Sequence, residues 1–230
     1  MNSSSVSSVA SRSQITFVAR LSNIVLLSIA VMILILINTK SILFPGSSVV
    51  VFLVVSSIVV MLSFCCLKLT NRLQANYGFI LCFISLLILG YSQALEPPKG
   101  DSAMLTSIWA QLFFLSRPIA LGLAIAAFVG FIIQALHCEA HLESHCHLLS
   151  LFAGTAFLGG EIAGSYWAFI GWGRSWSWSG HFFFSAFTYL LFILVFHLPK
   201  AWLASARVLA LGKAGVLGFI CVLMLGYRLS

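Results

Sequence analysis

Charge is what this sequence has least of. Of its 230 residues only 7% are charged, and just five are acidic. A soluble domain carries about 25% charged residues, so a water-soluble domain is excluded as the body of the chain. Five acidic residues against 12 basic ones give a net charge of +7. In so apolar a chain that excess bears on orientation in a membrane, and we expect no nucleic-acid partner. Proline is scarce too, with five residues, which leaves long stretches without a helix breaker. None of the six cysteines forms a CxxC, which excludes a thioredoxin-like redox motif. No period of 20–50 residues repeats. No small-residue cleavage site clearly follows the first apolar segment, so that segment is expected to be a retained anchor.

What is present is apolar length. Hydrophobic residues make up 61% of the chain, and the mean hydropathy is +1.09. Seven stretches, near 18–38, 47–68, 76–95, 107–136, 148–169, 182–199 and 207–227, approach or reach the length that crosses about 30 Å of hydrocarbon as a helix. Backbone groups must be satisfied internally in lipid, so helices are the expected form. The fold class is therefore all-α, a polytopic membrane helix bundle of about seven transmembrane helices. We divide it into a polar, disordered tail at 1–14, three N-terminal spans over 15–106, and a four-span core over 107–230. Arg12, Arg20, Lys68, Arg72, Lys200 and Arg207 fall on one side, with Lys213 close by. Lys40, Lys99, Arg174 and Arg228 fall on the other. The positive-inside rule then places the N-terminus in the cytoplasm and the loop between the fifth and sixth spans outside.

That outer loop, GWGRSWSWSGH, holds the densest chemistry. Trp167, Trp172, Trp176 and Trp178 lie within twelve residues, whereas an interfacial aromatic belt spreads its rings over several helix ends. Indole offers a broad stacking face and one N–H donor, which suits a large planar apolar ligand. The stretch WAFIGWGRSWSWSGH resembles the tryptophan-rich signature, roughly W-G-x-x-W-x-W-D, of the haem-handling membrane proteins of cytochrome c assembly, the CcsA/CcmC type. Trp172, Gly173, Trp176 and Trp178 fall on its fixed places. Gly160, Gly164, Trp167 and Ala168 fit the family's preceding helix, and FFFSAFTYLLFILVFHLPK resembles its next helix, with His197 at the family's histidine. The resemblance covers about 85 residues, from Glu143 onward.

It implies haem (heme) as cofactor, held on an outer shelf of Trp172, Trp176 and Trp178. It also implies delivery to apocytochrome c, a second membrane component as partner, and an inner haem site at His197. The chain departs from the signature at Ser179, where the family carries Asp. Ser116 and Arg117 stand where one outer histidine is expected, and none follows the last span. His181, inside the loop, is the substitute ligand available there. The expected setting is a bacterial cytoplasmic membrane or its organellar equivalent. Two other functions are compatible with the sequence, a non-catalytic scaffold subunit that has lost haem chemistry and a small-molecule transporter. The transporter lacks the repeated halves common in that class.

Two further features carry expectations. Arg117 and Glu161 both lie well inside their spans, and charges in the bilayer usually pair, so an Arg117–Glu161 contact is expected. In HCEAHLESHCH, the residues His137, His141 and His145 recur every four positions. On one helix they would share a stripe able to bind a metal, with a polar cytoplasmic hairpin as the alternative.

Overall fold

A helix satisfies its own backbone polar groups, which is why an apolar chain without water to bond becomes a bundle. The computed structural model describes residues 48–65, 72–95, 105, 107–137, 140–177, 179–198 and 205–229. Among the described residues lie six helices: α1 Val49–Cys65, α2 Arg72–Gln93, α3 Ile108–His137, α4 Ala140–Trp172, α5 Gly180–His197 and α6 Ala206–Leu229. Helices α2 to α6 each contain a stretch long and apolar enough to cross a membrane, and α1 is a shorter apolar helix. The protein is an all-α bundle of membrane type. The span expected near 18–38, and with it the tail at 1–14, lies outside the described residues.

Helix α3 is the axis of the bundle. It packs against α1, α2, α4 and α6, and most of its 30 residues are buried. Small residues make this close packing possible, as in membrane bundles generally. A Cβ at Gly122 would strike Ser56 and Val59 of α1. One at Gly130 would strike the Cys146 sulfur of α4. From the other side, Cβ atoms at Gly160 and Gly164 of α4 would collide with Ser116 and Phe113 of α3.

Buried hydroxyls add interhelical hydrogen bonds. The Ser57 and Ser85 hydroxyls lie 2.6 Å apart between α1 and α2, so one donates to the other, whose own proton can go to the facing carbonyl at 3.0–3.1 Å. The Tyr77 hydroxyl of α2 donates to the Ala126 carbonyl of α3 at 2.9 Å. Such bonds average roughly 0.6 kcal/mol inside membranes. Ser85→Ala is therefore expected to lower the detergent melting temperature only slightly, and a thermal-shift measurement showing collapse would mean the serines carry more than this.

Two ends follow from the cross-contacts. Tyr227 near the end of α6 meets His181 at the start of α5. At the opposite end Arg207 Nε donates to the Ala135 carbonyl at 2.7 Å, joining the start of α6 to the end of α3. The first of these we call the tryptophan end, the second the histidine end.

At the histidine end the structure differs from a simple polar hairpin. Helix α4 starts at Ala140, so Glu143, His145 and His147 are helical. The 33 residues of α4 span about 50 Å at 1.5 Å per residue, longer than the hydrocarbon core. Its first turns have reason to be ordered. Leu142 and Cys146 are buried against α3, and Glu143 sits in the first turn, where a carboxylate is favoured by the helix dipole.

Candidate functional site

Helix α4 ends at Trp172 because Gly173 takes a positive φ of 70°, a left-handed cap that costs glycine nothing. Its N–H donates to the Phe169 carbonyl at 2.9 Å. Residues 173–177 are non-helical, and Ser179, which has extended dihedrals, serves as the N-cap residue of α5. Ser179 makes no side-chain cap, but its carbonyl accepts from the Phe182 N–H at 3.1 Å. Of this segment, Arg174, Trp176 and Ser177 border the tryptophan end.

At that end lies a cleft of about 260 Å³, walled by Trp167, Trp172 and Trp176 and floored by Phe113, Gly164 and Ala168. Glu161, Arg174 and His181 also line it. Trp167 and Trp172 meet edge to face, with centroids 5.3 Å apart and planes 75° apart, while Trp176 packs on Phe182 at 4.7 Å. Trp178 lies outside the described residues. Trp172 is 56% exposed and Trp176 45%, so both keep indole surface available.

His181 is held firmly. Its Nδ1 is hydrogen-bonded to the Tyr227 hydroxyl at 2.7 Å, and its ring meets Phe113 and Phe182 edge-on at 5.7 and 5.8 Å. Tyr227 is itself stacked on Phe184, with planes 13° apart and centroids 4.0 Å apart. With Nδ1 engaged, the nitrogen left for any ligand is Nε2. This is the usual arrangement of a ligating histidine, whose second nitrogen is fixed by a neighbour.

Behind His181 the intramembrane charges meet. Arg117 Nη2 donates to Glu161 Oε1 at 2.8 Å and to the Ser185 hydroxyl at 2.9 Å. The guanidinium lies over the Phe113 ring at 4.2 Å. Three helices are thereby tied together where low dielectric strengthens every polar contact.

The other candidate residues stand elsewhere. His197 is at the histidine end, exposed, with Nδ1 3.0 Å from the Ile193 carbonyl of its own helix. It is sixteen residues from His181, about 24 Å along α5. His137 closes α3, whereas His141 and His145 belong to α4, so the three do not share a helix. The side chain of His141 lies outside the described residues. His145 meets Tyr77 of α2 edge-on, and no group of three His, Cys, Asp or Glu able to hold a metal occurs among the described residues. Tyr227, Ser185 and Phe113 were not anticipated from sequence. The polar pair Tyr227–Arg228 closing an apolar span was the one signal that could have found Tyr227.

The arrangement can hold a planar, mostly apolar molecule between indoles, offer one oriented imidazole nitrogen, and face an anionic edge with Arg174. Comparison with known proteins adds nothing to this: no family model, curated protein or solved structure matches the chain.

Proposed function

We propose that this chain is a haem-binding, multi-pass membrane protein of c-type cytochrome biogenesis. In this reading it has seven spans, a cytoplasmic N-terminus and an extracytoplasmic tryptophan cleft. It would present haem to apocytochrome c together with a second membrane component, in a bacterial cytoplasmic membrane or its organellar equivalent. The observation that carries the reading is His181, an imidazole held through Nδ1 by Tyr227 in a cleft lined with tryptophan.

The residues present fit a haem edge. Trp167, Trp172 and Trp176 supply apolar walls, His181 Nε2 a nitrogen ligand, and Arg174 a cation for a propionate. The cleft is slightly smaller than the roughly 300–1,000 Å³ of enclosed small-molecule pockets, so it would grip part of the ring and leave an edge reachable by an acceptor. When bound, haem supplies the iron and the vinyl groups on which thioether attachment depends. The protein's part is to orient that group, keep water from its buried face and hold the His181 ring in place.

A scaffold role without haem draws support from one feature. Ser116 is packed into Gly160, and Arg117 is engaged by Glu161, at the place where the family carries an outer histidine.

Visible spectra of protein purified from haem-replete cells separate the two. A Soret band is expected for the parent, with most of it lost in His181→Ala. Tyr227→Phe leaves the ligand in place but frees its ring, and is expected to weaken haem retention by about 10–100-fold. His197→Ala should leave the outer band unchanged. Absence of any band from the parent sinks the haem reading. A band indifferent to His181→Ala removes that residue as ligand.

A further inference from the structure

The histidine-rich segment, which the tryptophan cleft leaves unused, lines a second and larger cavity. At the histidine end, a half-open groove of about 530 Å³ lies between the first turns of α4, the last turn of α5 and the first turns of α6. Its polar lining is Glu143, Ser144, His147 and Lys213, and its apolar walls include Phe196 and Leu209. Lys213 is only 6% exposed. Its ammonium lies 3.5 Å from His147 Nδ1 and 5.4 Å from the centre of the Phe131 ring. His147 in turn meets Phe196 edge-on at 5.6 Å.

We propose that this cavity binds the phosphodiester of a phospholipid headgroup, preferring ethanolamine, and that the proposal stands apart from the haem reading. Position supports it. Lys213 lies seven residues into α6, about 10 Å from the helix start at the histidine end. Chemistry supports it as well. Where the ammonium donates to His147 Nδ1, the neutral ring carries its proton on Nε2. The groove is bordered by an ammonium and an imidazole, both of them group types from which phosphate oxygens accept hydrogen bonds. Basic pockets between transmembrane helices at a cytoplasmic face take lipid headgroups in this way.

Glu143 decides among headgroups. Its carboxylate on the same wall repels a second negative charge and attracts the ammonium of ethanolamine. Leu148, half exposed and lining the same cavity, leads from it to the outer surface of the bundle along which an acyl chain would lie. A free phosphate would satisfy the donors but leave those apolar walls bare.

The full chain in detergent, delipidated and examined by native mass spectrometry, tests this. One phosphatidylethanolamine per chain is expected to rebind, in at least tenfold preference to phosphatidylglycerol, with inorganic phosphate giving no thermal stabilisation. Lys213→Gln is expected to weaken rebinding at least tenfold, and Glu143→Gln to reduce the preference for ethanolamine. Should Lys213→Gln fail to fold, Leu209→Trp fills the cavity without touching a charge and is expected to give the same loss. Retention of the lipid in every folded variant overturns the proposal. Stabilisation by inorganic phosphate equal to that by lipid overturns it too, in favour of a free-anion site.

Discussion

Replacing Glu161 with Leu is expected to destabilise the bundle by about 3 kcal/mol, because it strands a guanidinium in a low-dielectric interior. Arg117 cannot shed its charge, since arginine stays protonated under any working condition. Its remaining partners, the Ser185 hydroxyl at 2.9 Å and the Phe113 ring at 4.2 Å, offset only part of the loss. The reverse change, Arg117→Met, is expected to cost less. Glu161 lines the cleft, where water can reach it once its partner is gone. The double variant Arg117→Met with Glu161→Leu should recover to within about 1 kcal/mol of the parent, since a buried ion pair is often replaceable by apolar groups of similar volume. Unfolding free energies measured for all four proteins in one detergent give the coupling directly. Additive single losses would show that the 2.8 Å contact contributes nothing beyond its two side chains.

That ion pair was legible in the sequence for a physical reason. A charge in the middle of an apolar run has few possible partners, and Arg117 and Glu161 lie at similar depth in consecutive spans. Most span positions were legible because the bilayer dictates helix length. The start of α4 was not. Where a helix projects beyond hydrocarbon its residues become polar, so His145 and His147 read as loop although they continue the helix. The same effect misled the histidine stripe, since the break between α3 and α4 falls just after His137. In the candidate site, the sequence spacing brings Trp172 and Trp176 to one cleft, while the planes of their rings depend on packing that spacing does not record. The His181–Tyr227 bond joins residues 46 positions apart on different helices. No periodicity records such a contact, because it depends on how α5 and α6 pack.

Gly160→Val is expected to disrupt the bundle as strongly as any single change, whereas Gly159→Ala one position earlier should be harmless. The two glycines share a helix and a local sequence, and differ only in what they face. Nothing lies within 4 Å of a Cβ added at Gly159. There, alanine removes glycine's excess backbone freedom and should stabilise by up to about 1 kcal/mol. A Cβ at Gly160 would overlap both the hydroxyl oxygen and the Cβ of Ser116. Rotating the hydroxyl therefore cannot relieve the clash, because the Ser116 Cβ is fixed by the α3 backbone. Helices α3 and α4 must separate, and interiors overfilled in this way lose about 1–3 kcal/mol, with the branched valine at the upper end. The separation would also reach the tryptophan cleft, since Gly164 and Phe113 pack one turn away and both line it. A second change, Ser116→Gly, removes the opposing Cβ and should restore most of the stability of Gly160→Ala. Thermal unfolding of Gly159→Ala, Gly160→Ala, Gly160→Val and the Ser116→Gly, Gly160→Ala pair checks each step. Equal tolerance at positions 159 and 160 would contradict the packing of α3 against α4 described above.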